Sequence, residues 1–310
     1  MSDATPLIEA PKRRPGRLVA IIVVIVVVLA AIGIGVALSN RGEAGAGTTT
    51  VKIGVVGASD PYWKTFVDAA AEEDITVDLV DYSNYEQPNP ALTDGELDLN
   101  QFQHIVYLAQ YDVASGADLV PIGSTAIYPL PLYSQEYTEP SDFQKGDTVA
   151  VPDDASNLAR SLLVLQSNGL IVLKDGGSIF SGVNDIDEAK STVEVTTIAA
   201  DLAATSLPDF AGAIINNDYA TKAGLSPDDV VAQDDPSDPA ALPYVNVFAA
   251  RADDADNPTY QKLVEIYQDT KAVTDGVVEN SGDTAVTLKV PVADLESSLE
   301  ETKELVEQNG

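Results

Sequence analysis

The sequence predicts an α/β protein of two lobes, preceded by one membrane-spanning helix. Three observations carry that expectation. Apolar runs of strand length alternate with runs of helical periodicity, the alternation restarts near Asp147, and an uncharged stretch of 21 residues stands close to the N-terminus. Strands alternating with helices build a largely parallel sheet. Two such lobes outside a membrane enclose a cleft, the usual place for a small ligand.

The uncharged stretch runs from Leu18 to Leu38 and is dominated by Val, Ile, Ala and Leu. As a helix it spans about 30 Å, the thickness of a bilayer's hydrocarbon core. Its β-branched residues disfavour helix in water, but in lipid the backbone must satisfy its own hydrogen bonds. Lys12, Arg13, Arg14 and Arg17 flank one side and Arg41 the other, diluted by Glu43. The excess of positive charge places residues 1–17 in the cytoplasm and the chain beyond the helix outside, a single-pass protein of the cell membrane. A cleaved signal peptide ending near Ala37-Leu38-Ser39 is the alternative, but signal cores are about 7–15 residues long. Residues 39–50, with Gly42, Gly45 and Gly47, read as a flexible tether.

The first lobe opens with Val51–Gly57, a buried strand ending in glycine. Ser59 or Asp60 caps the next helix, with Pro61 at its first position, running to about Glu73. Ile75–Val80 alternates as a strand, Pro88–Gly95 reads as a short helix, and Leu97–Phe102 as a strand. Gln103–Ser115 is helical, and Asp118–Tyr128 returns as a strand. Trp63 borders the cleft or caps the core, and the core is the favoured expectation.

The second series begins with the strand Asp147–Pro152 and the helix Ser156–Asn168, stopped by Gly169. Strands follow at Thr192–Ile198 and Ala211–Ile215, then a short helix at Asn216–Ala223 and a strand at Tyr244–Ala250. Asp228–Asp238 is acidic and reads as a surface loop. Pro258–Tyr267 and Val292–Gln308 are helices, the latter striped by Leu295, Leu299 and Leu305.

Composition restricts function. A net charge of −32 leaves no basic surface for nucleic acid. No cysteine is present, which removes disulfides, thiolate metal sites, Cys nucleophiles and a lipid-modified N-terminal cysteine. No acidic loop has calcium-site spacing, so no specific metal site is expected, and no cofactor is expected. With one histidine, no cysteine and no serine paired with a base, catalysis lacks its usual parts.

Cations are scarce where a ligand would sit. Beyond residue 50 the only arginines are Arg160 and Arg251. Asn157 and Arg160 stand at the start of a helix, where unpaired N–H groups and a guanidinium together suit a carboxylate; an Arg paired with neighbouring acids on the helix surface is the alternative. Tyr85, Phe102, His104 and Tyr128 fall at strand or loop ends, where α/β proteins bind ligands, and core packing would also explain them. Asn216 follows the buried run Ala213-Ile214-Ile215. Asn246 lies within the apolar Tyr244–Phe248 and must be hydrogen-bonded to something.

The segments Val151–Leu163, Leu165-Gln166, Gly169–Ile171 and Leu173–Gly176 resemble the NlpA/MetQ family, the methionine-binding components of bacterial ABC importers. So do Tyr85…Pro88-Asn89…Ala91-Leu92, Asn100–His104…Tyr107-Leu108, Tyr128-Pro129, Ile215-Asn216…Tyr219-Ala220…Gly224-Leu225 and Tyr244–Asn246, in the family's order over roughly residues 51 to 270. The resemblance implies a bilobal periplasmic-binding-protein fold, type II-like with two chain crossovers: lobe I from 51–127 and 249–310, lobe II from 128–248. It implies capture of L-methionine or a close relative between the lobes and delivery to the permease and ATPase subunits of an ABC importer. Another amino acid or a methionine-containing dipeptide is the nearest alternative ligand, and an extracellular enzyme the remote alternative function. Carried over by motif, Arg160 grips the ligand carboxylate, Asn157, Asn216 and Asn246 serve its polar backbone groups, and Tyr85, Phe102, His104 and Tyr128 wall the side-chain pocket. Two features depart from the family: the missing lipid-bearing cysteine, which the helix at 18–38 replaces, and a longer C-terminal tail from Lys271, to which the sequence assigns no role.

Overall fold

The structure, a computed structural model, describes residues 49–309. The expected cytoplasmic segment 1–17, the membrane helix 18–38 and nearly all of the tether 39–50 lie outside the described residues. Among the described residues, no helix is long and apolar enough to cross a membrane.

The first half of the chain follows the expected alternation. β1 (Thr49–Val56) leads into α1 (Pro61–Glu72), whose N-cap is Asp60 with Pro61 in the first turn. Then come β2 (Ile75–Tyr82), α2 (Pro88–Thr93), β3 (Leu99–His104) and α3 (Ile105–Ser115). β4 (Leu119–Ser124) and the two-residue β5 (Ala126–Ile127) follow. The chain then passes to a second sheet through β6 (Leu132–Tyr133) and β7 (Thr148–Pro152). That part continues with α4 (Ala155–Ser167), β8 (Glu194–Ile198), α5 (Ala200–Ser206), β9 (Gly212–Ile214), α6 (Asn217–Ala223) and β10 (Val230–Ala232). β11 (Asn246–Arg251) returns to the first sheet, and α7 (Pro258–Asp269), α8 (Lys271–Asn280), β12 (Val286–Thr287) and α9 (Val292–Asn309) complete the chain.

The first sheet has the order β2-β1-β3-β11-β4 and the second β10-β6-β9-β7-β8. Each keeps a parallel centre, β1 with β2 and β3, and β7 with β8 and β9. One strand beside a passage opposes the rest in each sheet: β11, antiparallel to β3 and β4 in the first, and β6, antiparallel to β9 and β10 in the second. β11 pairs with β3 from its first residue, Asn246 opposite His104, so the expected boundary at 248/249 falls inside a strand of the first sheet. The reason is local: Asn246 already has its carbonyl bonded to the Thr125 N–H at 2.8 Å.

Two apolar cores flank the first sheet. On one side Trp63, Phe66, Phe248 and Tyr267 meet edge-on, with ring centroids 5.2–5.8 Å apart for Phe248–Tyr267, Phe66–Tyr267 and Trp63–Phe66. Such tilted contacts favour the ring quadrupoles and add about 0.5–1.5 kcal/mol per pair beyond burial. Trp63 is a core residue, 1 % exposed. α8, which the sequence does not reveal, presses against α1 at Gly276, where a Cβ would stand 2.9 Å from that of Tyr62. On the other side Ile105, Leu108 and Leu119 receive Leu295 and Leu299 of α9. The C-terminal tail is therefore part of the first lobe's core.

One buried ion pair fastens that tail. The Asp112 carboxylate, on α3, accepts the Leu119 N–H and stands 2.9 Å from the Lys303 ammonium of α9. Burial pushes Asp112 up to about 6 against the opposing pull of Lys303. Lys303→Met is expected to destabilise the protein by about 2–3 kcal/mol at pH 7.5, because it strands a buried carboxylate. Because the folded value lies above the unfolded one, protonation favours the fold, and Asp112 is mostly neutral below about 6. The cost of Lys303→Met should therefore shrink at pH 5. Urea unfolding of both proteins at the two pH values checks this; an equal loss at both would contradict it.

Candidate ligand-binding site

The strand ends of the two sheets face each other, and seven of the eight residues singled out from the sequence line one cavity there: Tyr85, Phe102, His104, Tyr128, Arg160, Asn216 and Asn246. Asn157, the eighth, bonds to two of them. The cavity holds about 40 Å³ and also touches Asp218, Asn217, Pro129 and Leu130. A larger hollow of about 370 Å³, beside Ser134, Leu207 and Asp229, gathers none of these residues.

β3 delivers Phe102 and His104. The register with β11 shifts so that Gln103 faces Val247 and Gln101 faces Phe248, leaving Phe102 without a partner across the ladder. A bulge of this kind re-aims side chains at a strand end. Below it, Asn89, Asn100 and Gln103 form a buried amide network, with Asn89 Nδ2 donating to Gln103 Oε1 at 2.6 Å and Asn100 Nδ2 to Asn89 Oδ1 at 2.8 Å. A satisfied polar network holds the strand in a single register.

The strand extends to His104, two residues beyond its expected end, and His104 caps α3 instead of lying within a helix from Gln103. Its Nδ1 accepts the Tyr107 N–H at 3.2 Å. That leaves the proton on Nε2, which faces Asn157 Oδ1 at 3.4 Å. Burial, and then the nearby Arg160 charge, lower His104 to about 3, so the ring stays neutral throughout the physiological range.

α4 supplies Asn157 and Arg160. The helix start is not open to a ligand as expected: Asp154 caps it, accepting the Asn157 N–H at 2.9 Å and the Asn157 amide through both carboxylate oxygens. This grip fixes the amide orientation, so Asn157 Oδ1 faces His104 and accepts from Asn216 Nδ2 at 3.1 Å. Asn157 thus braces its neighbours and leaves few groups of its own to offer.

Arg160 is 5 % exposed. Its Nε donates to Asp234 Oδ2 at 2.6 Å and its Nη2 to the Tyr128 carbonyl at 2.8 Å, and the guanidinium lies 4.4 Å from the centre of the Tyr244 ring. Of the five N–H donors on a guanidinium, those of the Nη1 end have no hydrogen bond among the described residues. They suffice for a carboxylate approaching end-on. Asp234 lies in the stretch expected to be a plain surface loop; nothing in that acid-rich run marks it out.

The aromatic wall is broader than expected. Tyr85 touches Phe102, Tyr107 and Tyr219, with Tyr85–Tyr219 centroids 4.9 Å apart, and Phe102 meets Tyr107 edge-on at 5.7 Å. Tyr244 meets His104 edge-on at 5.3 Å. Tyr107, Tyr219 and Tyr244 stand within the motif segments above, so the signal was present, but a tyrosine in a helix or at a strand end reads equally well as core. Asp218 was missed altogether. It accepts the Tyr85 hydroxyl at 2.8 Å, joining the two lobes, and burial, with repulsion from Asp60, raises it to about 7. The Asn246 side chain lines the cavity and makes no hydrogen bond to another described residue. Asn216 Oδ1 is buried without a hydrogen-bond partner among the described residues.

The sequence matches the NlpA lipoprotein family over residues 51–288. The D-methionine-binding lipoprotein MetQ of Yersinia pestis is 38% identical over 224 residues, 70% of this chain and 81% of its own. Protein PG110 of Staphylococcus aureus superposes with a TM-score of 0.76 at 33% identity, over 81% of this chain and 99% of its own. A nutrient-binding protein of Burkholderia cenocepacia, solved bound to methionine, gives 0.71 at 34% identity, over 76% of this chain and 99% of its own. These neighbours share the bilobal α/β fold, and the chain belongs to the NlpA lipoprotein family.

Proposed function

We propose that this protein captures L-methionine, or a close relative, between its two lobes and delivers it to an ABC importer from outside the membrane. The chain is a binding protein of its family and not an enzyme. What supports the ligand reading is the convergence on one cavity of an arginine, the amides Asn216 and Asn246 with Asn157 bracing the first, and an aromatic wall. The lobes are proposed close to 51–127 with 249–310 and 128–248, the second boundary moved ahead of β11 because Asn246, Val247 and Phe248 already pair within the first sheet. A cavity of about 40 Å³ has room for roughly one water. Entry of an amino acid therefore requires the lobes to part, and closure over the ligand creates the form that a permease recognises. The Arg160 Nη1 end takes the ligand carboxylate. Asn246 and Asn216 take its polar groups, Asn157 holding Asn216 and His104 in place, and Tyr85, Phe102, Tyr128 and His104 enclose the side chain.

Arg160→Ala is expected to remove measurable binding, a loss of about 2–5 kcal/mol or roughly thirtyfold and more. Arg160→Lys should also fail substantially, since an ammonium cannot satisfy Asp234, the Tyr128 carbonyl and a carboxylate in one plane. Calorimetry on folded variants decides; affinity within threefold of wild type would exclude Arg160 as the anchor.

The wall predicts selectivity. A thioether is favoured against aromatic rings, so norleucine should bind more weakly than methionine by about 0.3–1.5 kcal/mol. Aspartate, glutamate and lysine should not compete, because their side-chain charges would be buried unpaired. Thermal-shift screening against the amino acids and methionine dipeptides tests this; stabilisation by a charged amino acid and none by methionine would refute the pocket assignment.

Residues 18–38 are proposed as the anchor in place of a lipidated cysteine, with residues 1–17 in the cytoplasm. Protease added to intact cells should remove the binding lobes and spare a tag placed before residue 1. Mature protein beginning near Asn40 in the medium would show a cleaved signal instead.

A further inference from the structure

We infer that Asp218 is the anchor for the ligand's α-ammonium group, so that the site selects molecules carrying a free amine beside the carboxylate. This rests on the ligand reading above and deepens it. Asp218 and Arg160 line the same cavity, one from the first turn of α6 and the other from α4. Arg160 already has an acid, Asp234, on its Nε. Asp218 has no cation: its hydrogen bond comes from the Tyr85 hydroxyl, and it forms no salt bridge among the described residues. A half-buried carboxylate without a counter-ion is costly, and an arriving ammonium removes that cost.

A second acceptor stands beside it. Asn216 Oδ1 is buried without a hydrogen-bond partner among the described residues, its Nδ2 being spent on Asn157 Oδ1. An ammonium carries three donors and no acceptor. Asp218 and Asn216 offer two acceptors two positions apart, next to the aromatic wall, while the Arg160 Nη1 end offers donors to the carboxylate. The cavity is thus polarised in the sense that matches a zwitterion.

The groups around Asp218 allow the pH dependence to be worked out. Asp60 faces it from the loop before α1, Tyr62 from α1, Tyr128 from the first passage between sheets and Tyr267 from α7, with Tyr85 bonded to it and Tyr219 beside it on α6. The tyrosines are all raised and stay neutral near pH 7. His104 is neutral there too, so Asp218 at about 7 and Asp60 at about 6 are the groups that titrate. An ammonium stabilises the ionised carboxylate and lowers its value in the complex. Binding then releases a proton, and affinity rises with pH until Asp218 is ionised in the free protein, falling by up to about tenfold per unit below that.

The test compares L-methionine with its amine-free analogue, 4-(methylthio)butanoic acid, by calorimetry on the full chain and on Asp218→Asn, an isosteric change that can keep the Tyr85 contact. Asp218→Asn is expected to weaken methionine about 10- to 100-fold and the amine-free acid less than threefold. In the wild type, methionine affinity should fall from pH 8 to pH 5.5 with proton release on binding, and the affinity of the amine-free acid should not fall in parallel. Asp60→Asn should retain that dependence. The wild-type profile holds even where the variant folds poorly. Methionine binding that is unchanged by Asp218→Asn, or equal pH profiles for the two ligands, would overturn the inference and leave the methionine reading standing. Failure of methionine to bind the wild type at any pH would remove both.

Discussion

The buried charge of Arg160 is the constraint on which the rest of the structure turns. Its guanidinium is anchored on α4 in the second lobe, yet its partners belong to the segments that pass between the lobes. The Tyr128 carbonyl lies on the first passage, and Asp234 and Tyr244 lie on the second. Asp234 also accepts the Leu130 N–H at 2.7 Å, so one carboxylate ties both passages together beneath the guanidinium. A buried cation needs these partners whatever its function. Satisfying it draws the passages against α4 and leaves the Nη1 end without a hydrogen bond among the described residues.

Amides and a neutral imidazole make up most of the remaining polar surface of the site. Asp154 orients Asn157, Asn157 orients Asn216 and faces His104, and the backbone of Tyr107 fixes the His104 tautomer. Each group is held by a partner behind it, which is how a cleft made of strand ends and helix starts stays preorganised. His104 cannot serve as a charge switch, because burial and Arg160 both oppose its protonation. Charge in the cavity therefore resides in Arg160 and Asp218, on opposite signs of a site otherwise built from neutral donors, acceptors and rings.

The C-terminal helices show how a tail acquires a role through packing alone. The family match ends at residue 288, and α9 lies beyond it. Leu295 and Leu299 fill the core under β4 and α3, and Lys303 neutralises the buried Asp112. α8 closes the opposite side of the sheet through Val273 and Val277. Both faces of the first sheet are thus covered, as a sheet with a parallel centre requires.

Wherever the physical signal was local, the sequence by itself determined the outcome. The strands and helices of the first lobe show strong periodicity, with Pro61 marking a helix start there and Gly169 a helix stop in the second lobe. Arg160 stood out because cations are rare beyond residue 50, and His104 because it is the only histidine. Tertiary structure alone decided the pairs of residues far apart in the chain. β6, β10 and β12 are two or three residues long, too short for any period, and exist only through their ladder partners. Asp218 and Asp234 are two acids among 49, and nothing in their neighbours separates them from the soluble surface. What distinguishes them is burial against Tyr85 and Arg160, contacts spanning 133 and 74 residues, and such proximity is a property of the folded chain.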